Sequence, residues 1–318
     1  MAQPTNVLSV YDASGTTGVG RGNREDLVNT VYDISPTETP VLTALPRTKA
    51  TAVLHEWTTK ALAAAAENAK IEGDDATITA ANAKTRLNNR TVIANKVAGV
   101  TKTQQAVDKV GMQDALAEDV GDKLAEIKRD IELMLNNNVA KVAGDDTTAR
   151  KTAGFPTWIV NAAGVIGANP TGDGSDVATN GTQRALTEAL VLEASKLAYD
   201  DGGSPSLLVV GTFNKTVVSG FSGNQSRNVD AKEKKLTNSV TVYEDDFNTL
   251  KVVANRHGVA RNALLIDPEY AKVAYLRPFE QWDLAVTGSS MRKQIEVELA
   301  LEMSNPNAHA IVRDLTTA

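Results

Sequence analysis

Cysteine is missing from all 318 residues, which removes disulfides, thiolate metal sites and thiol nucleophiles from consideration. Aromatic residues are scarce at 4% while hydrophobic residues make up 42%, so Ala, Val and Leu carry the apolar content. That composition suits extended packing surfaces better than a deep aromatic-lined pocket. Positive charge is not in excess either: 33 Lys and Arg stand against 39 Asp and Glu, a formal net charge of -6, and the pI is ≈ 5.3. Duplex-DNA binders use a basic face, because phosphate neutralisation supplies most of their affinity. Any DNA contact by this chain is therefore expected to be weak and non-specific. No window approaches the roughly 18 consecutive apolar residues of a membrane-spanning helix, the longest low-polarity stretch being Ala61 to Ala66. Met1 to Val10 has neither the basic start nor the apolar run of a signal peptide. No membrane partner is expected.

Motifs for chemistry are equally thin. In the glycine-rich run from Gly15 to Gly22, Arg21 takes the P-loop lysine position and Gly22 the hydroxyl position, so the Mg²⁺ ligand of a nucleotide site is absent. His55, His257 and His309 are scattered, with no spacing that sets two ligands on one helix face. Each reads as a polar strand or loop residue. Asp145-Asp146 and Asp173-Gly174-Ser175-Asp176 lack the alternating carboxylates of a calcium loop and read as turns. No G-x-S-x-G element occurs, and Gly211-Thr212-Phe213 offers no nucleophile with a base nearby. Lys232-Glu233-Lys234-Lys235 is a mixed, solvated run. No catalytic residue, cofactor site or metal site is expected, and the chain is not read as an enzyme.

What is present is an order of parts. Length suggests about two domains. The segment to about residue 47 combines the glycine run with Pro36, Pro40 and Pro46; it reads as an extended arm whose apolar residues dock elsewhere. Alternation from Thr51 to Trp57 and a second candidate strand from about Arg86 to Thr101 bracket a long polar, Ala-rich connection, an extended hairpin loop. From Gln113 to Ala143, Leu116, Val120, Leu124, Ile127, Ile131, Met134, Leu135, Val139 and Val142 recur at helical steps. They predict an amphipathic helix about 45 Å long, capped by Gly144, with Asp119, Lys123, Glu126, Arg129 and Asp130 on the opposite face. An α/β pattern follows: a helix from Thr182 to Tyr199, then strand candidates Leu207 to Val210, Val240 to Tyr243, Leu250 to Ala254 and Ala263 to Asp267. Finally Gln294 to Met303 alternates Ile295, Val297, Leu299 and Leu301 against Glu296, Glu298 and Glu302.

This order resembles the tailed-bacteriophage major capsid (major head) protein family with the HK97-like fold. Local patterns carry the resemblance as well: Ile34-Ser35-Pro36-Thr37-Glu38-Thr39-Pro40, Gly154-Phe155-Pro156-Thr157-Trp158-Ile159, Leu276-Arg277-Pro278-Phe279, Leu284-Ala285-Val286-Thr287-Gly288, Glu298-Leu299-Ala300-Leu301 and Asn305-Pro306-Asn307-Ala308-His309. The resemblance implies an α+β fold in five parts. They are an N-terminal arm (1–47), an extended β-hairpin loop (48–90), a peripheral domain (91–165) with its spine helix at about 113–143, an inserted α/β axial domain (166–274), and a C-terminal return to the peripheral domain (275–318). Some members crosslink subunits through Lys, Asn and a catalytic Glu, and no local motif marks such a trio in this sequence. With Met1 lying almost at the arm, a separate scaffolding protein is the expected arrangement.

The function so implied is self-assembly into hexamers and pentamers that form an icosahedral head around phage dsDNA. Portal, scaffolding and decoration proteins are further expected partners; the virion is the expected location and the bacterial host cytoplasm the place of assembly. The alternative from composition is another self-assembling surface or appendage protein, flagellin-like or a surface-layer subunit, since both are rich in Ala, Thr and Asn and low in aromatics. Flagellin-like chains need long heptad helices at both termini, where this N-terminus has Gly and Pro. A hydrolase with a dispersed site is a third reading. Deleting residues 1–45 is expected to leave a soluble, folded protein that no longer forms shells, checked by thermal melting and electron microscopy.

Overall fold

A computed structural model describes residues 38–75, 78, 80–107, 114–221 and 240–318. Helix α1 (Pro40–Ala44) and strand β1 (Arg47–Lys49) lead into a hairpin of β2 (Leu54–Lys60) and β3 (Lys84–Arg90). Next come β4 (Val92–Thr101), a short α2 (Lys102–Ala106) and the long α3 (Ala115–Asn136). After α4 (Phe155–Trp158) and β5 (Ala162–Ala163) come α5 (Glu188–Asp200), β6 (Leu207–Val210), α6 (Thr212–Ser219), β7 (Val242–Glu244), β8 (Thr249–Ala254) and β9 (Ala263–Ile266). The long β10 (Ala271–Asp283) and β11 (Ser290–Met303), a 3-10 turn (Pro306–Ala308) and β12 (Ala310–Val312) end the fold. Three sheets result: four strands in the order β1-β10-β11-β4, six in the order β5-β12-β9-β6-β8-β7, and the separate β2-β3 ribbon.

The six-stranded sheet divides two apolar cores. Both β6 and β9 are buried on both faces, as expected of continuous apolar runs. Leu207, Val209, Leu264 and Ile266 point into the core that holds Ile127, Ile131, Leu135, Phe155 and Trp158. Their alternates Leu208, Val210, Ala263 and Leu265 join Val191, Ala194 and Ala198 of α5 in the other. Strand β12 lies in this sheet, between β5 and β9, whereas β10 and β11 belong to the four-stranded one.

The long helix is shorter than its periodicity suggests. Asp114 caps its start, accepting from the N–H groups of Leu116 and Ala117 at 2.9 and 3.1 Å, and Ile127, Ile131 and Leu135 are buried. It ends at Asn136, not Ala143, so its 22 residues span about 33 Å. The asparagines stop it. Asn136 bonds back to the Glu132 carbonyl, and Asn138 exchanges two hydrogen bonds with the backbone of Ala178, drawing the chain out extended. Val139 and Val142 therefore leave the helix, and Val142 bridges Lys151 instead. Gly144 is no helix cap; it takes φ +71° in the turn that brings Arg150 back alongside it. Nor is the helix's charged face simply solvated. Asp119 accepts from the Gly99 N–H, and Lys96 of β4 bridges Glu126 and Asp130 at 3.5 and 3.0 Å.

Other boundaries move for comparable reasons. The run from Arg86 to Thr101 breaks at Thr91, where the chain crosses from ribbon to four-stranded sheet; its N–H binds Val53 and its hydroxyl binds Glu298. The helix expected from Thr182 begins only at Glu188, because Arg184 pairs its backbone with Asp314 and Thr316. On β11 the alternating glutamates do not face water: Glu298 and Glu302 are buried and paired.

The largest correction concerns the arm. Its end, from Pro40, folds onto this chain's own helix. Val41, Leu42 and Leu45 are buried in the α3 core, and β1 pairs in parallel with β10. The α1 N–H groups of Val41 and Leu42 donate to the buried Glu132 carboxylate at 3.0 and 2.8 Å. The rest of the arm, 1–37, lies outside the described residues. Deleting 1–45 therefore strips three buried apolar side chains and leaves Glu132 without two donors. That deletion is expected to lower the melting temperature by more than about 10 °C, from several kcal/mol of lost burial.

His309 supplies a second test. It is fully buried, its Nδ1 accepts from the Asp267 N–H at 3.1 Å, and its ring meets Phe155 edge-on. Burial pushes its pKa from 6.5 down to about 3. Between these values the unfolded chain takes up a proton that the folded one refuses, so stability falls with acidification through that window. Stability measured from pH 7 to 4.5 should fall more steeply for the wild-type chain than for His309→Gln; parallel curves would refute this.

Candidate assembly surfaces

The β2-β3 ribbon is anchored only at its base. In its register Trp57 lies opposite Leu87 and His55 opposite Asn89, placing these four on one face. That face meets the body. Trp57 Nε1 donates to the Met303 carbonyl at 2.8 Å, and its ring lies 5.5 Å from that of Trp158. His55 Nε2 pairs with Glu302 at 2.8 Å, and this hydrogen bond holds the Glu302 carboxyl below its usual range. Asn89 acts as an inserted rung, donating to the Leu301 carbonyl and accepting from the Ala153 N–H. Lys141 reaches under the ribbon to the carbonyls of Asn88 and Asp173, with its ammonium 5.6 Å from the Trp158 ring. Four side chains thus fix the direction in which the ribbon leaves the body.

Beyond Trp57 no anchoring hydrogen bond to the body is made among the described residues. All residues from Ala61 to Asp75 are exposed, including Leu62 and Ile71, and Ile78 further along is fully exposed. Burying such a side chain is worth about 1.5–3 kcal/mol, which this chain by itself leaves unrealised. The loop thus presents Leu62, Ile71 and Ile78 to solvent among Glu67, Lys70, Glu72, Asp74 and Asp75.

The four-stranded sheet turns its helix-free side outward. Ile93 and Val97 of β4 are exposed there, opposite Glu298 and Gln294 of β11. Beside them Glu298 accepts from the Thr91 hydroxyl at 2.7 Å, Arg150 at 2.9 Å and Arg277 Nε at 3.0 Å, and Arg277 also pairs with Glu296. Burial alone would raise the Glu298 pKa; the Thr91 and Arg277 hydrogen bonds and the two arginine charges outweigh it and hold the carboxyl below the usual range. Both guanidinium groups are engaged by carboxylates, so this network braces the sheet and leaves no free base or nucleophile.

The sequence candidates for chemistry stay apart. His55 is hydrogen-bonded to Glu302, His309 is buried, and His257 lines a shallow polar hollow with Lys96 and Asp130. Asp145 closes a turn on Thr147 and Thr148, whose hydrogen bonds hold its pKa at about 2, and Asp173 and Asp176 close another on Thr171 and Ser175. Gly15 to Gly22 and Lys232 to Lys235 lie outside the described residues. Among the described residues no group of three His, Asp or Glu could hold a metal ion, and no helix is long and apolar enough to cross a membrane. Sequence reading missed Asn89, Lys141 and Glu132, because a lone polar residue gives no periodic signal of burial.

Comparison with known proteins identifies the family and the fold. The model of the SU10 major capsid protein family matches residues 10–316. The major capsid protein of Escherichia phage Phieco32 is 23% identical over 355 residues, spanning 98% of this chain and 97% of that protein. Among solved structures, the capsid asymmetric unit of Cyanophage A-1(L) gives a TM-score of 0.66 at 14% identity, covering 92% of this chain and 97% of that one. A chain of Gordonia phage Cozz gives 0.62 at 12% identity, covering 99% and 98%. At such identities the likeness speaks for the fold, which is the HK97-like α+β fold of phage capsids. With 10–316 matched by the family model, the chain belongs to the SU10 major capsid protein family.

Proposed function

We propose that this capsid protein builds its shell by laying the anchored ribbon and loop, together with the segment 1–37, across neighbouring copies. A rigid body carries a projecting loop whose Leu62, Ile71 and Ile78 it leaves exposed; repeated head to tail, contacts made by such loops close into rings. Hexameric and pentameric rings then tile an icosahedral head around dsDNA. In this reading residues 91–165 and 275–318 form the peripheral domain and 166–274 the axial domain, with β12 tying the C-terminal return into the axial sheet. The arm ends near residue 39, and the extended loop occupies 48–90. Many modest contacts per copy resist internal pressure through avidity. The role is structural, without catalysis. Portal, scaffolding and decoration proteins are the further partners, assembly takes place in the bacterial cytoplasm, and the net charge of -6 suits a container that holds DNA without gripping it.

The exposed loop on its anchored stem is the observation that carries this reading. Replacing residues 61–83 by a short Gly-Ser linker should leave the melting temperature of the subunit within about 2 °C, since the loop adds nothing to the subunit's own core, and should abolish closed shells in negative-stain microscopy. Shells of normal size from that variant would sink the proposal. So would tight, sequence-independent DNA binding by the wild-type chain at physiological salt, for the container role.

A further inference from the structure

We propose that the cationic face of the ribbon, Lys60, Lys84 and Arg86, seats on an acidic aromatic patch around Tyr199 and Phe247 of a second copy. This rests on the shell-forming reading and gives that contact a named partner surface.

The register places Lys60 directly opposite Lys84 and Thr58 opposite Arg86, so the three cations share the ribbon face turned away from Trp57. Like charges directly opposite one another destabilise a ribbon. Among the described residues neither lysine has an ion pair, and the Arg86 pair with Glu56 is loose at 3.8 Å, with the guanidinium side chain 71% exposed. The ribbon thus holds a concentrated positive face at the point where its support ends.

The opposite surface lies where the end of α5 meets the β7-β8 turn. The rings of Tyr199 and Phe247 lie 5.2 Å apart, yet both are exposed. Their backbones are fixed: Asn248 donates to the buried Ser195 hydroxyl at 2.8 Å, and Asp245 accepts from the Phe247 N–H at 2.9 Å. Asp200, Asp201, Glu244 and Asp246 stand exposed near these rings in sequence, against two exposed cations, Lys196 and Lys251. Exposed aromatic rings in an acidic stretch of chain attract an ammonium or guanidinium group both through the ring faces and through charge.

The ribbon tip argues for protein and against nucleic acid as the occupant. It carries Glu67, Glu72, Asp74 and Asp75 against Lys70, with Leu62, Ile71 and Ile78 exposed, a surface a polyanion would be repelled from. Both halves are exposed in one subunit, so they do not satisfy each other within the chain. Each copy offers one donor and one acceptor, as a head-to-tail ring requires.

Charge reversal tests the pairing in the full-length chain. Lys60→Glu with Lys84→Glu, or Asp200→Lys with Asp246→Lys, should each cut the fraction sedimenting as rings and shells by about tenfold, with subunit melting unchanged. All four changes in one chain should restore assembly, because the swapped charges again attract. Normal assembly by either reversed pair, or failure of the combined variant to recover, overturns the pairing while leaving the shell-forming reading intact. Normal assembly with lost DNA retention would assign the cationic face to nucleic acid instead. A wild-type chain that never associates would sink both.

Discussion

One buried carboxylate holds the body together. Glu132 lies inside the fold with its oxygens taking the N–H groups of Val41 and Leu42, the Asn255 amide at 2.6 Å and, at 3.4 Å, the Asn136 amide. These donors come from the start of the fold, the end of β8 and the helix itself. Burial pushes its pKa upward, and the hydrogen bonds pull it back. A charge-bearing group in such a place is tolerable only when every donor is in position, so α1, the long helix and the six-stranded sheet must be assembled together.

The same logic separates the rigid body from the projecting loop. Inside, polar side chains work as bridges: Asn89 substitutes for a ladder rung, Arg313 donates to the carbonyls of Pro156 and Ile159, and Glu298 is enclosed by two arginines. Outside, Leu62, Ile71 and Ile78 have no cover. The Trp57 and His55 anchors join these regimes, so the ribbon is aimed by the body although its tip gains nothing from it. A shell subunit needs both properties, because contacts between copies must be unsatisfied in one copy and accurately directed in many.

Much of this architecture was legible beforehand. Strand β6 emerged with its exact ends because an uninterrupted apolar run permits little else, and the buried face of α3 followed from spacing alone. The ribbon and its long connection were visible as two strand signals around a polar stretch. Failures came where side chains outside the local pattern decided the outcome. Asn138 chose Ala178 over helix continuation, Arg184 chose the C-terminal strand region, and the apolar residues after Pro40 found their partner in the chain's own helix. For the candidate assembly surface, the extended loop was foreseeable, whereas the Trp57-Trp158 contact and Lys141 joined positions too far apart in sequence to be paired by inspection.

Sequence by itself determined what this protein lacks and the order of its parts. Without cysteine, disulfide and thiol chemistry had no residues to draw on, and hydrophobic periodicity placed helix and strands because it reports burial locally. Tertiary structure alone decided where the arm stops, which glutamates are buried, and which face of the ribbon is free. Those outcomes depend on donors and acceptors that meet across about 90 to 250 positions of chain, as the cost of leaving a buried polar group unpaired is settled by geometry and not by neighbours in sequence.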